Sequence, residues 1–117
     1  METWNLFFKS KLLANVRVHK TFFSKLKGLM FSSPLKKQEG IILVLEQEDL
    51  LSIHMLFVFF PIDVLWLDKT GRVVDKKENI QPFSLSHTPR KPAQYIVELP
   101  AGSCKNIEIG NKIRIKK

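Results

Sequence analysis

The chain has 117 residues, 44% hydrophobic and 26% charged, proportions of a globular protein and too apolar for disorder. Its 19 Lys and Arg against 11 Asp and Glu give a formal charge of +8 and a basic surface. One cysteine, Cys104, excludes an internal disulfide framework and a Cys-rich zinc site, and the length supports one core, so residues 1–117 are expected to form a single domain.

The start, Met1-Glu2-Thr3-Trp4, has no basic leader region, and Lys9 and Lys11 interrupt the apolar stretch Leu6-Phe7-Phe8. The longest apolar run, Met55 to Ile62, falls far short of the roughly 20 residues of a membrane-spanning helix and contains Pro61. A soluble cytoplasmic protein without a membrane partner is therefore expected.

Ala14, Val16 and Val18 alternate with Asn15, Arg17 and His19, the period of a half-buried strand. Thr21 then suits an N-cap for a short helix over Phe22 to Leu29, with Phe22, Leu26, Leu29 and Met30 at helical spacings and Lys25 and Lys27 on the wet side. Ile41 to Leu45 is an unbroken apolar run between Gly40 and the acidic group Glu46, Glu48 and Asp49, as expected of a strand buried on both faces. Ile53 to Phe60 and Ile62 to Leu67 are expected to be two more.

Asp68-Lys69-Thr70-Gly71 has the residues of a type I turn joining Ile62–Leu67 to Arg72–Asp75 as a hairpin. Residues Glu78 to Pro92 carry Pro82, Pro89 and Pro92 and are expected to be a surface loop with a short strand near Phe83 to Leu85. Tyr95 to Leu99 resumes as a strand and stops at Pro100-Ala101-Gly102. A Gly110-Asn111 hairpin would set the apolar residues of Ile107–Ile109 and Lys112–Ile115 on opposite faces, so the last strand is expected in a different register or sheet. About eight short strands and one helix near the amino terminus predict a mainly β fold, a compact antiparallel β-sandwich or barrel.

Asp63 stands between two apolar runs, where an ionised carboxylate costs several kcal/mol unless it is paired or hydrogen-bonded. His54 heads the preceding run. If their strands are neighbours, imidazole and carboxylate can meet as an oriented base; alternatively, Asp63 receives backbone amides and His54 marks a strand edge. His19, His54 and His87 are far apart in sequence and match no metal-ligand spacing, so no metal or cofactor is expected. Cys104 is expected to be a small, partly buried residue beside a turn. The basic residues are dispersed, which favours a solvated surface over a nucleic-acid platform, although Lys112, Arg114 and Lys116 alternate outward from Ile113 and Ile115 as one basic stripe.

Several strings taken in order carry a resemblance: Lys27-Gly28-Leu29-Met30-Phe31; His54-Met55; Phe60-Pro61-Ile62-Asp63-Val64-Leu65-Trp66-Leu67-Asp68; Gly71-Arg72-Val73-Val74; Tyr95 to Gly102; and Ile109-Gly110-Asn111-Lys112-Ile113. From about Ala14 to the end the chain resembles the prokaryotic family known as domain of unknown function 192, or uncharacterised protein family 0127. The resemblance implies a compact β-sandwich or barrel of jelly-roll character with a small helical element, and it implies no activity. Many members carry Trp-Met-Lys-Asn-Thr where this chain has His54-Met55-Leu56-Phe57-Val58. Loss of that polar pair favours a structural role for Asp63, or a site that uses His54 instead.

The leading expectation is a non-enzymatic module binding a small ligand or peptide in a cleft near His54 and Asp63, rimmed by the Pro-rich loop. The alternatives are an enzyme using His54 and Asp63 as an acid–base pair, and nucleic-acid binding through Lys112, Arg114 and Lys116.

Overall fold

The computed structural model describes residues 1–117 apart from the side chains of Phe22 and Phe23, so the expected inward role of Phe22 lies outside the described residues. In chain order the elements are β1 (Thr3–Phe8), β2 (Lys11–His19), α1 (Phe22–Lys27), β3 (Glu39–Asp49), β4 (Ile62–Leu67), β5 (Val73–Ile80), β6 (Ala93–Pro100) and β7 (Arg114–Lys116). The strands form one sheet in the order β5-β4-β6-β3-β2-β1-β7.

The two ends of that sheet meet. Ile113 N–H donates to the Gly71 carbonyl at 2.9 Å, and Val73 N–H donates to that of Asn111 at 2.8 Å, so the residues before β7 zip onto the head of β5. The sheet thus curls toward a barrel, which covers edges that would otherwise be open to another chain. Gly71 makes the approach possible. Its φ is +90°, and a Cβ there would lie 2.5 Å from the Ile113 carbonyl oxygen.

Two cores result. Leu6, Ala14, Val16, Ile42, Leu65, Val97 and Ile113 fill the inside of the curl. The alternate residues of the central strands, among them Ile41, Leu43, Val64, Trp66 and Ile96, form a second core on the outer face with Leu29, Ile53, Met55 and Val58. Burial on both faces is why Ile41 to Leu45 reads as an unbroken apolar run, and why Ile62 to Leu67 and Tyr95 to Leu99 are each broken only by one acid rather than alternating.

The mainly β architecture with one short amino-terminal helix agrees with expectation. The Asp68–Gly71 turn also forms, with Gly71 N–H donating to the Asp68 carbonyl at 2.9 Å. Thr21 caps α1 by accepting the Ser24 N–H at 3.1 Å, and Gly28 ends the helix at φ +50°, two residues earlier than the spacing suggests. The last strand does leave its apparent hairpin, pairing with β1.

Two readings are corrected, and one strand was not anticipated. Ile53 to Phe60 is not a strand: it makes a single bridge to His87 and then turns, with Val58 N–H donating to the Met55 carbonyl and Phe57 at φ +56°. Its inward residues Met55 and Val58 are three apart, so a period of two cannot bury both, and the segment lies over the outer face as a cover. Phe83 to Leu85 likewise forms no strand: Pro82 and Phe83 lie in a turn, although Phe83 N–H donates to the Met55 carbonyl at 2.9 Å. The first strand, β1, was hidden because half-buried Phe7 breaks the alternation of Trp4 and Leu6 with polar Asn5. A hairpin whose central residues Lys9 and Ser10 both have positive φ, as a type I′ turn requires, joins β1 to β2.

One pairing departs from a wholly antiparallel sheet. β2 and β3 run parallel, their connection crossing over the sheet through α1. That crossover places the end of α1 and Leu29 on the outer face beside β3.

Candidate functional site

A cavity of ≈ 490 Å³ opens between the end of α1, the middle of β3 and the segment Leu51 to His54. This lies in the range of small-molecule sites. Leu26, Leu29, Leu43, Leu45, Leu51 and Ile53 supply its apolar walls. The crossover brings α1 here, and the Trp66 indole N–H donates to the Leu51 carbonyl at 3.3 Å, tying the third wall to β4.

Glu98 reaches this cavity from β6. It pairs in register with Ile41 on one side and Val64 on the other, so its outward side chain rises between two outer-core residues. The residue is 5% exposed, and among the described residues its carboxyl accepts no hydrogen bond and joins no ion pair. Burial therefore raises its pKa from 4.5 to about 7. Gly28 leaves room above it, since a Cβ there would lie 3.8 Å from Oε1.

The charged lining is balanced in sign. Lys25 and Lys27 come from α1, Glu46 and Asp49 from β3. His54 also lines the cavity. Its Nδ1 accepts the Leu56 N–H at 3.1 Å, which leaves Nε2 to carry the proton of the neutral ring.

Asp63 is placed elsewhere. On β4 it shares the inner face with Leu65 and Leu67, and it is fully buried. Its Oδ1 accepts the Asn79 N–H at 2.8 Å, while Oδ2 accepts those of Gly102 at 3.0 Å and Cys104 at 2.9 Å. These bonds tie β4 to the end of β5 and to the turn after β6. No hydrogen bond joins Asp63 to His54, and Asp63 does not line the cavity. The buried acid that shares the cavity with His54 is Glu98.

The signal for Glu98 was present in the sequence. A single carboxylate within Tyr95-Ile96-Val97-Glu98-Leu99 poses the same solvation problem as Asp63 within its own run. The two acids solve it differently, one with three backbone donors and the other with none.

Cys104 is fully buried, and burial, reinforced by the charges of Asp63 and Glu78, pushes its thiol up to about 12. That is the opposite of an activated nucleophile. Leu56 and Phe57 are 42% and 43% exposed. Phe57 stacks on Phe31 with ring centroids 4.8 Å apart and meets the edge of Phe83 at 6.1 Å, so the three rings form an aromatic surface.

Lys112, Arg114 and Lys116 are all exposed, as their alternation implies. Lys112 Nζ donates to the Thr70 carbonyl, and the Arg114 guanidinium lies 4.4 Å from the centroid of Phe7. Among the described residues no group of His, Cys, Asp and Glu is arranged to hold a metal ion, and no helix is long and apolar enough to cross a membrane.

The fold and the cavity together define a small curled β-sheet protein with one leucine-walled hollow and an acid exposed to it. The chain belongs to the DUF192 family, described as "Uncharacterized ACR", whose family model matches residues 7–115. It is 38% identical over 94 residues to UPF0127 protein TK1120 of Thermococcus kodakarensis, covering 80% of this chain and 59% of that one. It is also 38% identical over 101 residues to UPF0127 protein PH1112 of Pyrococcus horikoshii, covering 85% of each. The chain thus spans about three-fifths of the Thermococcus relative. A crystal structure of a protein of unknown function from Novosphingobium aromaticivorans superposes with a TM-score of 0.83 over 96% of this chain and 83% of that one, at 22% identity, which shows the common fold.

Proposed function

We propose that the chain is a non-enzymatic binding module for a small ligand, held in the cavity that Glu98 and His54 line. The observation that carries this reading is the Glu98 carboxyl, buried in an apolar wall, open to the cavity and without a donor. No side-chain oxygen of the described residues is both sealed from solvent and without a partner, so the Glu98 carboxyl is reached through the cavity, and a ligand entering a hollow of this size would meet it directly. His54 offers a second polar contact, Asp63 serves by holding β4 and its neighbouring turns in place, and Ser52, the one hydroxyl in the cavity lining, is hydrogen-bonded to the Thr88 hydroxyl at 2.6 Å rather than to a base. A thermal-shift titration against a metabolite panel at neutral pH tests the proposal. A ligand-dependent rise in melting temperature that disappears in Leu43→Trp, which fills the cavity, supports it. A flat response across the panel contradicts it.

A second reading rests on the outer face of β7 and β1, where Arg114 covers Phe7 and Lys116 pairs in register with Asn5. Cations beside an aromatic ring on a sheet surface suit the backbone and bases of single-stranded nucleic acid. Fluorescence anisotropy with a labelled oligothymidine should then show affinity that falls steeply with salt and is lost when Lys112, Arg114 and Lys116 are neutralised together. Absence of binding at low salt removes this reading.

A further inference from the structure

The three buried acids of this protein differ in one respect. Asp63 accepts three backbone N–H groups, and Asp75 accepts the backbone N–H groups of Lys76 and Arg90 together with the Arg90 guanidinium. Glu98, as buried as Asp75, has no counterpart to these donors among the described residues. What the cavity lacks is a donor, and a cationic one answers the carboxylate best, because hydrogen bonds between ionised partners are about twice as strong as neutral ones.

We infer that the ligand of this cavity is a small apolar amine, its ammonium group on the Glu98 carboxylate and its hydrocarbon body against the leucine walls. The inference rests on the cavity being a binding site and adds the class of molecule that it takes. The side chains of Leu29, Leu43, Leu45 and Ile53 favour a ligand with a hydrocarbon body, since they offer it no hydrogen bonds. A carboxylate or phosphate would set like charge against Glu98, or would require it to stay protonated. The rim does not repel a cation, because Glu46 and Asp49 offset Lys25 and Lys27. A neutral alcohol can donate a hydrogen bond to the Glu98 carboxylate but carries no charge to pair with it, and it serves as the isosteric control.

The groups facing Glu98 are Lys25 and Lys27 from α1, Glu46 and Asp49 from β3, and His54 from the covering segment. Burial raises the Glu98 pKa to about 7, so amine affinity should rise as pH increases from about 5.5 to about 8, where the carboxyl is ionised and an alkylamine is still protonated.

The test is an amide-detected NMR titration with hexylamine, 1-hexanol and hexanoate at about pH 8. Hexylamine should shift the Gly28, His54 and Glu98 amides and bind about tenfold or more tightly than 1-hexanol, with hexanoate weakest. Glu98→Gln should bring hexylamine down to the affinity of 1-hexanol while leaving 1-hexanol within about twofold. If 1-hexanol or hexanoate shifts the same amides as strongly as hexylamine, the cavity binds ligands and the amine assignment is wrong. If none of the three perturbs those amides, both the assignment and the binding reading fail.

Discussion

Cys104 gives its backbone N–H to Asp63 Oδ2 at 2.9 Å, joining strand β4 to the turn that follows β6 across 41 positions of sequence. The same oxygen holds Gly102, and the other oxygen holds Asn79, so one carboxylate fastens three chain segments at the end of the sheet. Asp63→Asn keeps the shape but turns an amide N–H toward at least one of these donors. Each buried donor left open costs about 1–3 kcal/mol, so a loss of about 3 kcal/mol is expected in urea denaturation. A loss under about 1 kcal/mol would show that the amides find other partners.

The same neighbourhood makes Cys104 inert. With its thiol fully buried and pushed up to about 12, a thiol reagent such as DTNB at about pH 8 should label the native protein only as fast as it unfolds. Labelling should become stoichiometric in denaturant. Rapid labelling of the folded protein would place the thiol at the surface.

Closure of the sheet depends on Gly71. An alanine there must accept φ +90° and a Cβ 2.5 Å from the Ile113 carbonyl oxygen, so the contact that zips β5 to the residues before β7 has to open. Gly71→Ala should cost about 3 kcal/mol in thermal or urea unfolding. It should also speed hydrogen exchange at the Ile113 amide, which bonds to Gly71. Unchanged exchange at Ile113 would show that the two edges are held by something else.

Glu98 makes stability depend on pH in the direction opposite to that of an ordinary paired carboxylate. Its pKa in the folded chain, about 7, lies above its ordinary 4.5, so the fold prefers the protonated acid. That contribution is fully present below about pH 4.5 and is lost as pH rises through about 7, to the extent of roughly 3 kcal/mol. Glu98→Gln, which cannot ionise, should be more stable than the parent chain at about pH 8.5, with the gap closing toward about pH 4.5. Parallel stability profiles for the two proteins would contradict this.

Much of the fold was legible because the outer core imprints itself on the sequence. Ile41 to Leu45 and Val64 to Leu67 are continuous apolar runs only because a second layer covers the sheet's outer face. The covering layer itself was not legible as such. Ile53 to Phe60 has the composition of a strand, and only the three-residue offset between Met55 and Val58, with Phe57 in the left-handed region, marks it as a turn laid across the sheet. A composition rich in Phe and Val does not distinguish a strand from a lid over strands.

The candidate site was half legible. The argument that a carboxylate within an apolar run must be compensated holds for Asp63, and the compensation is structural. Applied to Glu98, the same argument leads to the cavity. Sequence spacing could not connect Glu98 to His54, because they come to line one cavity only after the α1 crossover and the covering segment have built its walls.

The measurement that bears most directly on the central claim is a carbon-detected NMR titration of the Glu98 side-chain carboxyl in the free protein. A midpoint near 7 is predicted, for an acid held in an apolar wall with no donor of its own. A midpoint near the ordinary 4.5 would mean that the carboxyl is solvated or already paired, and the cavity would lose the feature that marks it as a binding site.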